Sequence, residues 1–396
     1  MYSLLLVIIY IAFISLGLPD SLVGSAWPVM RLDLNVPISY AGIITMIISC
    51  GTIISSLMSD FLTKKLGTGL VTAISVFLTA AALWGFSIAG KFWMLCVLAI
   101  PYGLGAGAVD AALNNYVALN YKARHMSWLH CFWGVGASIS PYIMGYALPS
   151  RWGWSGGFGI VSIIQIVLTI VLFVSLPVWK LKPKNEFGSS KDEPNTQSNN
   201  SKNLIEILKI KGVPFVLVAF FAYCAAEATA MLWASSYLVE VRNINKELAA
   251  MLASLFFLGI TLGRFISGFV SEKLGDKCLI RIGIAIMLSG IVLIIIPDKY
   301  NICSMAGLII AGLGCAPIYP SIIHSTPANF GKENSQAIIG VQMASAYIGT
   351  TFMPPLFGII ARYGFMKLFP IYMLVFAVLL LIMSERLNKH SLAKAN

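Results

Sequence analysis

The chain has 396 residues, 58% of them hydrophobic and only 11% charged, with a mean hydropathy of +0.84. Soluble domains carry about 25% charged residues, and no water-soluble fold of this length could hide so much apolar surface in its cores. The net charge of +11 sits in short connections between apolar runs, a distribution that follows membrane topology and argues against a nucleic-acid surface.

Runs of about 20 apolar residues define membrane-spanning helices. The first, 4–31, has no basic leader and no small-residue cleavage site, and reads as a retained helix. It contains GLPDSLVGSAWP, residues 17–28, with Asp20 in the span and Pro19 and Pro28 loosening it. Helical spacing puts Gly17, Gly24 and Trp27 on the Asp20 face. A second span, 39–62, ends in SLMSDFLTKKLG, residues 56–67, which joins it to a third at 68–89.

The fourth span, 91–120, carries GLGAGAVDAALNNYVAL, residues 103–119, in which Asp110, Asn114 and Asn115 interrupt a lipid-like run. Asn114 follows Asp110 by one helical turn and shares its face, which Gly103 and Gly107 extend without a side chain. A small, polar face of this kind suits a wet cavity. The fifth span, 125–149, carries WLHCFWGVG with His130 and Trp133, and the sixth covers 156–180. Residues 181–211 are rich in Lys, Ser, Asn and Pro and read as a flexible cytoplasmic linker ending in a short amphipathic helix near 202–210.

Six further spans follow, at 212–239, 246–272, 278–297, 301–325, 333–361 and 365–385. The seventh holds Glu227 with Tyr223, Ala230, Ala234 and Ser235 on or near its face. The eighth holds Arg264, the one Lys or Arg set well back from the ends of any predicted span, and leads into GRFISGFVSEKLGDK, residues 263–277. Gln342 lies in the eleventh. With both termini cytoplasmic, eighteen of the 27 Lys and Arg face inward and eight outward. The predicted organisation is therefore a six-helix bundle at 1–180, the linker at 181–211, and a six-helix bundle with a short tail at 212–396.

The halves resemble each other. Gly51, Ser55, Ser59 and Asp60 recur as Gly263, Ser267, Ser271 and Glu272 at an offset of 212, and Gly136, Pro141 and Gly145 recur as Gly349, Pro354 and Gly358 at 213. GLG at 103–105 recurs at 312–314. Parallel six-helix repeats place a solute site near the bilayer midplane.

Ionisable groups deep in lipid are costly and mark function. At about 1.5 Å per residue, Asp20 and Glu227 lie roughly 22–24 Å, and Asp110 roughly 15 Å, from the inner ends of their helices. Three acids against the single Arg264 leave an excess, and a buried carboxylate that lacks a cation takes up a proton. Asp20, Asp110 and Glu227 are the candidate coupling groups, for H⁺ with Na⁺ as the alternative. Asn114, Asn115, His130, Trp27, Trp133, Tyr223 and Gln342 are candidate ligands of a small polar solute. At the inner loops, Asp60, Lys65, Arg264, Glu272 and Lys277 are candidate gating charges, with Lys64 and Lys273 as further partners for the two acids. His324 reads as a structural or gate residue. The seven cysteines form no CxxC pair, and no zinc spacing, phosphate-binding glycine loop or Ser/His/Asp setting occurs; no cofactor and no enzymatic activity are expected.

The loop motifs resemble the signature of the major facilitator superfamily, with Ser56 in place of its first Gly. VDAALNNYVAL in the fourth span resembles the acid-x-x-x-Asn segment of the fucose–proton symporter family, LPDSLVG its first-helix acid, and GLGCAPIYPSI, residues 312–322, its tenth-helix Pro motif. LHCFWGVGASISP is similar to its fifth helix, with His130 where the fucose carrier has an amide, and Asp110 is one methylene shorter than the family's Glu. The resemblance implies a monomeric plasma-membrane carrier for cation-coupled uptake of a monosaccharide by alternating access. In that reading Asp20 and Asp110 are the coupling acids, and His130 and Asn114 are solute ligands. The alternative is a proton-linked exporter, since GASISPYIMG, residues 136–145, partly resembles the antiporter motif of the fifth helix.

Overall fold

The computed structural model describes residues 2–37, 40–179, 204–244, 246–297 and 301–392. Those residues form an all-helical, membrane-spanning protein. The expected linker falls outside them over 181–203, and its terminal helix is present as the short segment Leu204–Leu208.

The chain divides into two compact units. One comprises Met1–Tyr121 with Leu129–Ser201, the other Lys122–Trp128 with Lys202–Asn396. The first expected span is built from α1 (Tyr2–Asp20) and α2 (Leu22–Asp33), which break at Ser21, two residues after Pro19. Proline lacks the N–H that would continue the helical ladder and crowds the preceding turn. Ser21 Oγ donates to Ala137 O at 2.7 Å, and Ser25 Oγ donates to Ser21 O at 2.8 Å, so polar groups at the break are occupied. The second span is α3 (Ala41–Leu57) and α4 (Ser59–Leu66), bent by 57°. Then come α5 (Thr68–Ile88), α6 (Phe92–Asn120), α7 (Ala123–Ala147) and α8 (Gly153–Trp179).

After α9 (Leu204–Leu208) the second unit continues with α10 (Val213–Glu240), α11 (Lys246–Leu274) and α12 (Asp276–Ile295). Its tenth span is broken at Ala316–Pro317 into α13 (Ile302–Cys315) and α14 (Ile318–His324). The small α15 (Thr326–Phe330), the long α16 (Lys332–Arg362) and α17 (Phe369–Leu392) complete it. Ten spans are long and apolar enough to cross a membrane, and the bent α3–α4 pair makes an eleventh. The twelfth, α7, has the length, at 25 residues, but its apolar run is diluted by His130 and by small and polar residues.

Packing repeats between the units. In the first, α6 packs on α3 and α5, and α5 packs on α8; in the second, α13 packs on α11 and α12, and α12 packs on α17. Small residues let such helices touch backbone to backbone, which is how spans associate where lipid removes the hydrophobic drive. Gly103 and Gly107 lie against the α3 backbone at Ile48 and Thr52, with Ser55 Oγ donating to Leu104 O at 2.6 Å and accepting from Ala108 N at 2.7 Å. These glycines are therefore a helix contact and not the open cavity wall expected from spacing. The apolar core of the first unit gathers Trp27, Met30, Phe86, Tyr102, Trp154 and Phe158 from α2, α5, α6 and α8.

Candidate functional site

In the first unit, α1 and α7 meet backbone to backbone, where Gly17 faces the carbonyl of Trp133 and Gly136 faces that of Ile14. A Cβ at either glycine would strike main chain. The approach carries Asp20, at the end of α1, to Trp133, whose Nε1 donates to Asp20 Oδ2 at 2.9 Å. Asp20 is exposed, so the indole holds one oxygen while the carboxyl group remains accessible.

A second acid lies on α6. Asn114 Nδ2 donates both to Asp110 Oδ1 at 2.8 Å and to the Asp110 main-chain carbonyl at 2.9 Å. Its Oδ1 faces His130 Nε2 on α7 at 3.1 Å. Asn114 is fully buried and His130 is 5% exposed, its ring edge-on to Phe13 of α1 at 5.5 Å. Asp110 is half-buried. The structure thus brings together Asp20, Asp110, Asn114, His130 and Trp133 on three helices of one unit. Asn115 is buried beside them in sequence.

The second unit answers with an ion pair. Arg264 Nη2 of α11 lies 3.3 Å from Glu227 Oε1 of α10, with side chains only 6% and 12% exposed. Tyr223, one turn before Glu227, is fully buried, and its ring meets Tyr319 of α14 edge-on at 6.0 Å. Arg264 thus engages Glu227 within the span, although Glu272, one of the loop charges with which it was grouped, lies only eight residues on. Gln342 is buried in α16, where its Oε1 accepts from Thr326 Oγ1 at 3.1 Å while its Nε2 is enclosed without a hydrogen bond. Trp27 belongs to the apolar core of the first unit, against Phe92, and presents no surface to a solute here.

The loop charges pair as expected at Asp60 and differently at Glu272. Asp60 is bridged by Lys64 at 2.8 Å, one turn on in α4, while Lys65 lies over the Phe61 ring. Glu272 takes Arg124 at 3.0 Å and Lys122 at 3.5 Å, residues of the 122–128 segment that belongs to the second unit, in place of Lys273 or Lys277. Lys277 instead lines a small, mostly apolar cavity with Ile280, Ile322 and Asn388. His324 Nδ1 meets Asp276 Oδ2 at 2.7 Å and ties the end of α14 to the start of α12. Sequence reasoning missed the pair of Ser15 and Gln165, which exchange two hydrogen bonds between α1 and α8, and the bond from Trp154 Nε1 to Asp33 Oδ2 at 2.7 Å. Each partner is a polar residue on an otherwise apolar helix, the one signal available. Among the described residues no group of three His, Cys, Asp or Glu is arranged to hold a metal ion.

Two units of membrane-spanning helices with repeated packing and carboxyl groups within the spans are the arrangement of a membrane transporter. The chain belongs to the Major Facilitator Superfamily, whose family model matches residues 9–251 and 215–395. It is similar to Bypass of stop codon protein 6 of Saccharomyces cerevisiae, 25% identical over 385 residues, covering 89% of this chain and 76% of that protein. It is also similar to the Hexuronate transporter of Bacillus subtilis, 25% identical over 272 residues, covering 66% and 63%. Among solved structures, the fold is shared with the E. coli fucose:proton symporter FucP, at a TM-score of 0.74 and 16% identity over 97% of this chain and 98% of that one.

Proposed function

We propose that this protein is a proton-coupled symporter that carries a monosaccharide across the plasma membrane as a monomer, with both termini cytoplasmic. The observation that carries the reading is the pair of mid-span carboxyl groups in the first unit, Asp20 held by Trp133 and Asp110 held by Asn114. A carboxyl group at this depth is ionised while open to water and neutral when the passage closes around it. The N–H groups of Trp133 and Asn114 that donate to these acids are neutral, and a neutral donor does not hold a carboxyl group permanently charged as a bidentate Arg would. Glu227, bridged to Arg264, serves in this reading as a fixed neutral pair of the second unit. Solute contacts in the first unit fall to Trp133 and Asn115. That a relative is named a hexuronate transporter and a fold neighbour a fucose:proton symporter supports a sugar as solute.

The test is uptake into proteoliposomes of L-fucose, D-glucose and D-glucuronate under an imposed pH gradient, with and without Na⁺. An inward proton gradient drives accumulation of one of the three, and Asp110→Asn abolishes accumulation while leaving counterflow exchange intact. Uptake indifferent to the pH gradient would refute proton coupling; dependence on Na⁺ alone would assign the acids to that ion. Outward pumping of apolar cations would favour the exporter reading.

A further inference from the structure

The hydrogen bonds around Asn114 fix more than a contact. A side-chain amide and its mirror orientation differ only in which end donates, and the choice is read from the partners. Here one partner is the main-chain carbonyl of Asp110, at 2.9 Å from Nδ2. A carbonyl only accepts, in every protonation state of the carboxyl beside it. The amide nitrogen of Asn114 is therefore committed to the Asp110 side, and its oxygen to His130. An amide oxygen only accepts, so His130 Nε2, at 3.1 Å, must be the donor. The neutral imidazole then carries its proton on Nε2 and leaves Nδ1 as its basic atom.

We infer that Asn114 is a positioning residue that fixes His130 in its Nε2–H tautomer and links it to Asp110 as a relay between α7 and α6. When His130 carries a further proton, the Nε2–H bond to Asn114 becomes charge-assisted, and the polarised amide strengthens its donation to Asp110 Oδ1. Protonated His130 thus favours ionised Asp110, 20 residues before it in the chain. The charged groups named beside the relay are Asp110 itself on α6 and Asp20 of α1, which is held by Trp133 of α7; Phe13 supplies an apolar edge. Asn114, with both ends engaged and no exposed surface, is in this assignment not a solute ligand. The inference rests on the proposed coupling for its purpose, but its geometry stands without it.

The test is nitrogen-15 magnetic resonance of the full-length protein in proteoliposomes with labelled histidine. There are four histidines, and His130 is assigned by the signal missing from His130→Gln. At pH 8 the wild type should show His130 with Nε2 protonated and Nδ1 bare. Asn114→Leu, or Asn114→Ala where the larger side chain impairs folding, should lose that preference and give a tautomer mixture. Asp110→Asn, which leaves the main-chain carbonyl in place, should retain it. Wild-type His130 protonated on Nδ1 alone, or a tautomer unchanged by loss of Asn114, overturns the inference. The same vesicles are assayed for pH-driven uptake of L-fucose, D-glucose and D-glucuronate. Absence of such uptake with the Nε2–H tautomer intact removes the coupling role and leaves the tautomer lock standing.

Discussion

Removing one member of the Glu227–Arg264 pair should be far more damaging than removing both. At 3.3 Å and an effective dielectric of about 20, the attraction between the two charges is about 5 kcal/mol. Both side chains are nearly enclosed, so much of that attraction offsets the cost of taking them out of water, and the net worth of the pair is small. Glu227→Gln keeps the shape but strands a guanidinium in a buried site, at a cost of about 3–5 kcal/mol. For a unit of this size that corresponds to a fall in Tm of about 10 °C. Arg264→Gln strands the carboxylate, which can take up a proton, so its loss should be smaller and should shrink as pH falls. The double variant Glu227→Gln/Arg264→Gln removes both desolvated charges and should recover most of the stability lost in Glu227→Gln. The assay is thermal unfolding in detergent followed by a thiol-reactive fluorophore, which the buried Cys224 and Cys315 make suitable. Glu227→Gln as stable as the wild type, or a double variant as unstable as the sum of the singles, would refute a buried, mutually dependent ion pair.

Two further predictions concern the scaffold of the first unit. Gly107→Val drives a branched side chain into the Thr52 carbonyl and should separate α6 from α3, lowering stability by about 1–3 kcal/mol or more, with Gly107→Ala intermediate; equal Tm values across the series would show that the helices do not touch there. Gln165→Leu leaves Ser15 without the partner of its hydroxyl and should cost about 1–3 kcal/mol, part of which Ser15→Ala in the same chain restores; strict additivity in that cycle would deny the bond.

The spans were legible because lipid demands about 20 consecutive apolar residues and no tertiary context alters that demand. The pairing of Asp110 with Asn114 was legible too, since four residues of helix return to one face. What the helix turns toward was not. Gly103 and Gly107 occupy the same face as Asp110, and a face without side chains serves equally as a cavity wall or as the seat of another helix; contact with Thr52 decides for the second. Trp27 shares the Asp20 face by helical spacing, yet it packs into the apolar core of the first unit with Leu18 and Met30. Glu272 found Lys122 and Arg124, 150 and 148 positions away, in preference to its sequence neighbours, and Gln165 found Ser15 at a separation of 150. Such partners are chosen by helix packing, to which local periodicity is blind.

The internal repeat sharpens the division of chemistry between the units. At the offset of 209 that relates the two GLG segments, Asp110 corresponds to Tyr319, and at 213 His130 corresponds to Met343. In the second unit these positions also touch, Tyr319 Oη donating to Met343 Sδ at 3.2 Å. The same two helices are therefore joined at the same level in both units, but by a phenol and a thioether in one and by a carboxyl, an amide and an imidazole in the other. At an offset of 212, Glu227 and Arg264 correspond to Ser15 and Thr52, neither of which ionises. The repeat has kept the geometry and exchanged the chemistry. The first unit holds acids that accept from the neutral N–H groups of Trp133 and Asn114, while the second holds its buried acid opposite a permanent cation. In the proposed coupling a group must tolerate both of its charge states where it stands, a condition that a neutral N–H donor permits and that the guanidinium beside Glu227 opposes.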